Sequence, residues 1–270
     1  MTGFKHAHAG GSDWAEVARD CARQLDPVPD GANLGFLYVT DALAEDLTSI
    51  LTFLRQTSGV EDWIGTVGLG ICAGAQEYHD EPAAAVLLGA FPEESFRVFP
   101  VLRGGLDEMP AGLRGWIDGG AAPFAVVHGD PYNHHLPDLL EETASGLSSF
   151  LVGGLTAARR GGAQIAGTVA KGGLSGALFS PQVQVATGLS QGCTPVGEPR
   201  QVTEAEDNII MSIDGKRALD VTKADIGELL ARNLERVAGY IHAAFPVPGS
   251  DTRDYLVRSL VGIDVERGWV

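Results

Sequence analysis

The chain has 270 residues, enough for one large domain or two modest ones around a buried core. Its hydrophobic fraction of 44% and charged fraction of 20% are those of a globular protein, and its 36 glycines fall at turn-like positions rather than in a low-complexity tract. The net charge of -16, with 19 Lys and Arg scattered among 35 acids, excludes a role that requires a phosphate backbone to be neutralised and disfavours an anionic membrane surface.

Residues 1–13 carry His6 and His8 but no apolar stretch of the kind a secretory signal needs. No apolar run approaches the roughly 20 residues of a membrane span. Cys21, Cys72 and Cys193 lie far apart, without a CxxC pair or a Cys/His zinc spacing. A reduced, cytoplasmic setting is expected, with neither nucleic acid nor membrane as a partner.

Trp14, Val17, Ala18, Cys21, Ala22 and Leu25 recur at helical spacing, with Ser12 as the expected cap. The turn from Asp26 to Gly31 ends that helix, and residues 34–39 form an apolar run that predicts a buried strand. Leu43, Leu47, Ile50, Leu51 and Leu54 then trace a helix face closed by Gly59, and residues 63–69 predict the next strand. A similar pattern follows: a strand at 124–128, Gly129-Asp130, a helix face of Leu136, Leu139, Leu140 and Leu147, and a strand at 150–152 running into Gly153-Gly154. Asp41 and Asp130 are 89 positions apart and Gly65 and Gly153 are 88 apart, which suggests an internal duplication. The generic likeness of βαβ units is the plainer alternative.

Further strands are predicted at 83–91, 96–102, 175–179 and 183–189, the last two split by Ser180-Pro181 as in a hairpin. Residues 103–122 read as a Gly-rich, partly ordered excursion. Thr222 and Asp225 make a capping-box-like start for a helix whose stripe is Ile226, Leu229, Leu230, Leu234, Val237 and Ile241, ending at Pro246. The expected fold class is α/β, with two related βαβ-plus-hairpin halves and mixed sheets. Residues 1–189 form the first region, in halves 1–120 and 121–189, and residues 190–270 the second.

The turn Gln191-Gly192-Cys193-Thr194-Pro195-Val196-Gly197 brackets small polar residues with glycines, so its backbone N–H groups are free to approach a ligand. Asp214-Gly215 between apolar runs is a hairpin signal. Cys193 is a candidate nucleophile if His128 or His79 serves as its base, although a structural thiol needs no such partner. His79, His128, His134 and His135 are candidate haem or metal ligands, His128 the best placed at a strand end. Asp41 and Asp130 follow strands and precede helices, where capping explains them; ligands of α/β units also gather at such strand ends. Gly68, Gly70, Gly153 and Gly154 suit close backbone packing or a cleft wall.

The segment QGCTPVGEPRQVTEAEDNIIMSIDGKRALD resembles the start of the C-terminal half of the FIST family, whose members carry a QGC-x-P-[IV]-GEP stretch, a Val-Thr pair, a strand, "LDG" and "PAL". Upstream, VGLGICAGAQEYHDEPAAAVLLGAF resembles the family's Gly/Cys-rich segment, and HGDPYNHH followed by LVGGLTAA resembles its "DP … GG" segment. The resemblance implies a sensory module that binds a small, amino-acid-like ligand and is read by a signalling partner. No catalytic signature is found, so no enzyme activity is expected, and no cofactor is predicted; some family members are reported to bind haem and respond to nitric oxide, which makes His128 the haem ligand if there is one. The glycine-rich strand ends and the Gln191–Gly197 turn suggest a cleft between the halves, with Gly68, Gly70, Cys72, Asp130, Gly153, Gly154, Gln191, Gly192, Cys193 and Thr194 as its ligand-binding residues; a homo-oligomer is also compatible. This chain departs from the family at Thr194, where Arg is frequent, and at Arg217, where Pro is favoured. Typical members continue with further strands beyond the point matching Val270, so the resemblance makes the chain a short member or a piece of a longer one.

Overall fold

The computed structural model describes residues 3–120, 122–159, 162–188, 192–227, 239–247 and 255–270. The chain divides into two compact units, Met1–Val185 and Ala186–Val270.

The first unit runs β1 (Phe4–Gly10), α1 (Trp14–Leu25), β2 (Leu34–Thr40), a 3-10 turn (Asp41–Asp46), α2 (Leu47–Ser58), β3 (Asp62–Gly68), a hairpin of β4 (Gly70–Ala73) and β5 (Gln76–His79), and β6 (Ala83–Gly89). It continues with β7 (Phe96–Leu102), a 3-10 turn (Leu106–Glu108), α3 (Ala111–Asp118), β8 (Phe124–Gly129), α4 (Leu136–Gly146), β9 (Phe150–Leu155), a hairpin of β10 (Gln164–Ala166) and β11 (Thr168–Ala170), and β12 (Leu174–Phe179). One sheet has the order β1-β6-β2-β3-β10-β11 and the other β7-β12-β8-β9. In both, the first two pairings are antiparallel and the third, β2 with β3 and β8 with β9, is parallel.

The fold is therefore α/β with mixed sheets, and one topology occurs twice. The division at residue 120 cuts across it, because β7 and α3 pair and pack with the second sheet. Strand alternation sets the layers. Leu37 and Val39 of β2 and Trp63 and Val67 of β3 pack with Val17, Cys21, Ile50 and Leu54 from the helices. The opposite face, with Leu34, Phe36 and Ile64, meets Phe96, Phe124, Val126 and Phe179 of the second sheet. Beyond the second sheet, Phe99, Val127 and Leu178 pack against Leu113, Leu136 and Leu139 of α3 and α4. The resulting order is helices, sheet, sheet, helices.

The recurrence reaches single residues. Gly65 sits opposite Leu37 at φ 155° and Gly153 opposite Val127 at φ 158°. A Cβ on either would lie 1.8 Å from the carbonyl oxygen of its partner, Leu37 or Val127. Only glycine fits that approach. This register makes Thr40, not Asp41, the counterpart of Asp130, and the two side chains have matching tasks. Thr40 Oγ1 donates to Glu81 O at 2.6 Å and accepts from Ala83 N at 3.0 Å, while Asp130 accepts from Tyr132 N at 2.9 Å and from Gly172 N at 3.1 Å. Each ties a strand end to the segment entering the neighbouring strand.

Several expectations are corrected. Asp130 caps no helix, since α4 begins from His135, and Asp41 makes no capping bond. The Asp41 carboxylate instead accepts from Arg159 N at 3.1 Å. Helix α1 is capped by Asp13, which accepts from Ala15 N and Glu16 N, while Ser12 binds the Glu16 carboxylate. The segment 103–122 contains α3. Residues 183–188 form no strand; Val183 N bonds back to Ser180 O and its side chain packs under the aromatic cluster. Gly59 closes α2 in the left-handed conformation as expected.

The second unit has an antiparallel sheet of β13 (Val202–Glu206), β14 (Ile209–Ile213) and β15 (Lys216–Arg217), then α5 (Ala218–Ile226) and a hairpin of β16 (His242–Pro246) and β17 (Tyr255–Ser259). Asp214 and Gly215, at φ 52° and 71°, make the expected turn between β14 and β15. Thr222 lies inside α5, donating to Ala218 O, rather than starting a helix, and Ile241 directly precedes β16. Leu229, Leu230, Leu234 and Val237 lie outside the described residues. No helix among the described residues is long and apolar enough to cross a membrane.

Candidate functional site

In the first unit, the layer between the sheets changes character along the strands. At one end it is aromatic, with Phe91, Phe96, Phe124 and Phe179 in edge and tilted contacts at centroid distances of 5.4–6.3 Å. Toward the carboxyl ends of the parallel strands, alternation replaces phenylalanine with Tyr38 on β2 and His128 on β8. Tyr38 Oη lies 3.0 Å from His128 Nε2, with the rings 5.5 Å apart. These residues occupy equivalent positions of the two topological repeats, so a residue of one repeat meets its own counterpart. Nearby, Thr66 Oγ1 lies 2.7 Å from Thr156 Oγ1, and Ser175 Oγ donates to Gln164 Oε1 at 2.6 Å.

Burial governs the ionisation of the central pair. His128 is 2% exposed and its acidity is set by desolvation, which pushes its pKa down to about 4. Burial pushes the Tyr38 hydroxyl up to about 12. Both are neutral near pH 7. His128 Nδ1 has no hydrogen-bond partner among the described residues.

Tyr38 itself lines a cleft of about 430 Å³, together with Thr66, Gly68, Gly70, Cys72 and Leu155 among others. Tyr38 is in register with Ala85 on one side and Thr66 on the other, so one row across β6, β2 and β3 makes the floor. The β4 strand supplies a wall, and Leu155 and Ala157 bring in the end of β9. A second hollow of about 320 Å³ shares Leu69 with the first and holds Asp41, Glu45, Asp46, Asp80 and Arg159. Arg159 bonds to the Asp80 carboxylate and lies 3.8 Å from that of Asp41.

The sequence-derived site residues divide accordingly. Gly68, Gly70 and Cys72 line the cleft, with Cys72 exposed. Gly68 and Gly70 also serve packing: a Cβ on Gly68 would meet Gly70 O at 2.7 Å, and one on Gly70 would meet His79 Nδ1 at 2.6 Å. Asp130 is buried and occupied by backbone donors. Gly153 answers to strand packing, whereas a Cβ on Gly154, in register with His128, would meet open space. Gly192, Cys193 and Thr194 belong to the second unit, where Gly192 and Thr194 are exposed and Cys193 is a half-buried free thiol whose carbonyl accepts from Tyr255 Oη at 2.7 Å. Gln191 lies outside the described residues.

His79 is exposed beside Glu77, and His134 and His135 are exposed on the loop before α4. No cluster of three metal-ligating side chains occurs among the described residues. A haem ligated by His128 does not fit this arrangement, because Nε2 is held by Tyr38 and Nδ1 is sealed inside the strand layers. Tyr38, Thr66, Ala85 and Leu155 were not singled out from the sequence. The available signal was the alternation of Leu34, Phe36 and Tyr38, which places a polar-tipped ring at the carboxyl end of a parallel strand.

Residues 33–216 match the FIST N domain. The match runs through Gln191–Lys216, the stretch whose sequence resembles the start of the C-terminal half. An uncharacterised protein of Mycobacterium tuberculosis is 31% identical over 217 residues, covering 76% of this chain and 55% of the relative. An uncharacterised protein of Mycobacterium bovis is 27% identical over 248 residues, covering 87% of this chain and 61% of the relative. The chain thus spans little more than half the length of these curated relatives. A family match over most of the chain, carried on this twofold α/β topology, places the protein in the FIST family.

Proposed function

We propose that the protein is a sensory module whose first unit binds a small, amino-acid-like metabolite in the cleft above Tyr38 and His128, and whose liganded state is read by a signalling partner inside the cell. The observation that carries this reading is the cleft itself. It lies at the carboxyl ends of parallel strands, where α/β folds gather ligands, and draws walls from both repeats. A ligand touching β4 on one side and Leu155 on the other has different contacts when the sheets shift, and that differential contact is what a sensor requires. FIST N domains are generally sensory, in keeping with this use of the cleft. The region from residue 190 onward is proposed to begin the family's C-type region.

Thermal-shift screening of the full chain against amino acids and other small metabolites tests the reading. A binder at 100 times its Kd stabilises the fold by about 2.7 kcal/mol, enough to move the transition by several degrees. The stabilisation is expected to vanish in Ala85→Leu, which fills the cleft floor. A broad library that leaves the wild-type transition unmoved, with the unliganded fold intact, refutes the proposal.

A further inference from the structure

Resting on that reading of the cleft, we infer that the group recognised at its floor is an uncharged carbonyl oxygen, from an amide, ester or ketone, which accepts a hydrogen bond from the Tyr38 hydroxyl. The argument starts from the hydrogen count on the buried pair. Neutral imidazole carries one N–H, and only Nε2 has a partner, Tyr38 Oη at 3.0 Å. If the proton sat on Nδ1, an N–H donor would be buried without an acceptor among the described residues. If it sits on Nε2, it donates to Tyr38 Oη, and only a lone pair on Nδ1 goes unused. Orphaned buried N–H groups are the rarer and costlier of the two. His128 is therefore the donor, and the Tyr38 O–H proton is released from the pair. Tyr38 lines the cleft, and a ligand there is the acceptor assigned to that proton.

Charge decides what kind of acceptor answers it. No Asp, Glu, Lys, Arg or His is among the described residues lining the cleft. The adjoining hollow carries Asp41, Glu45, Asp46 and Asp80 against Arg159, and the whole chain has a net charge of -16. A carboxylate at Tyr38 would be desolvated without a countercharge and in a repulsive field. A neutral carbonyl offers the same acceptor geometry without that cost, and the apolar walls suit a hydrocarbon body attached to it.

The test uses the full chain labelled with 3-fluorotyrosine and observed by fluorine NMR, the Tyr38 resonance being assigned by its loss in Tyr38→Phe. The probes are matched pairs sharing one body: 4-methylpentanamide with 4-methylpentanoate, and phenylacetamide with phenylacetate. The expected result is that the amides shift the Tyr38 resonance and bind at least about tenfold more tightly than the carboxylates, as desolvating a carboxylate without a countercharge implies. In Tyr38→Phe, shown by its melting transition to be folded, amide binding is expected to weaken about tenfold, read there by thermal shift. Carboxylates that bind as tightly as amides, or amide binding unchanged in Tyr38→Phe, overturn the inference while leaving ligand binding in the cleft intact. If neither member of either pair perturbs Tyr38 the inference fails, and the metabolite screen then shows separately whether the cleft binds anything.

Discussion

Replacing Gly153 by alanine, beside a control replacement of Gly154, separates glycines that hold the strands from glycines free to face a ligand. At Gly153 the new Cβ would lie 1.8 Å from Val127 O, at a φ of 158° that side chains avoid. Val127 O cannot retreat freely, because Val127 is in register with Gly153 inside a parallel pair and β12 flanks β8 on its other side. The backbone strain amounts to about 1–3 kcal/mol and the overpacking to about 1–3 kcal/mol more, so Gly153→Ala is expected to cost about 2–6 kcal/mol. Gly154→Ala meets open space and is expected to change stability by less than about 0.5 kcal/mol. With a urea slope of about 1–3 kcal/mol/M, the first variant lowers the midpoint by roughly 1 M or more. Urea unfolding followed by tryptophan fluorescence, to which the fully buried Trp63 contributes, reads the difference. Equal midpoints for the two variants would refute the argument.

Two further outcomes are expected. His128 has a folded-state pKa of about 4 against an ordinary 6.5, so between those values the unfolded chain takes up a proton that the folded chain refuses. Stability should therefore fall as pH drops below about 6.5 and level off near 4, by on the order of 3 kcal/mol; His128→Gln should flatten that slope, and an identical decline in the variant would count against His128 as its source. Native-state alkylation with iodoacetamide and peptide mapping should modify exposed Cys72 and half-buried Cys193 while sparing Cys21, which is fully buried and has its thiol pushed up to about 12. A cleft ligand should slow labelling at Cys72 alone, whereas Cys21 reacting as fast as Cys72 would contradict the packing of α1.

The sequence made visible those elements whose side chains separate cleanly by period. β2, α2, β3, β8 and α4 were legible because leucine, valine and isoleucine occupy their inner positions. β1 was not: its inward residues are Ala7 and Ala9, and its outward ones include His6 and His8, so no apolar run marks it. Helix α3 was hidden by Gly112 and Gly115 within eight residues, and the β10–β11 hairpin by strands only three residues long. Asp130 was matched to Asp41 because residue identity suggested it; the ladder shows that position within the strand, filled by Thr40, is what recurs. The cleft lining at Gly68, Gly70 and Cys72 was readable from a glycine-rich strand end. The Tyr38–His128 contact was not, since 90 positions separate its partners and neither residue alone announces the other.

The β10–β11 hairpin follows the second repeat's β9 in the chain yet completes the first sheet, with Gln164, Ile165 and Ala166 opposite Thr66, Gly65 and Ile64. During synthesis, β3 is therefore left with an open edge until about 100 further residues have been made, and the first sheet is finished only when most of the second already exists. The first sheet cannot be completed by the first repeat alone. Long-range closure of this kind slows folding and leaves an unpaired strand exposed to other chains in the interval. A nascent chain halted between Gly89 and Gln164 presents that edge unpaired.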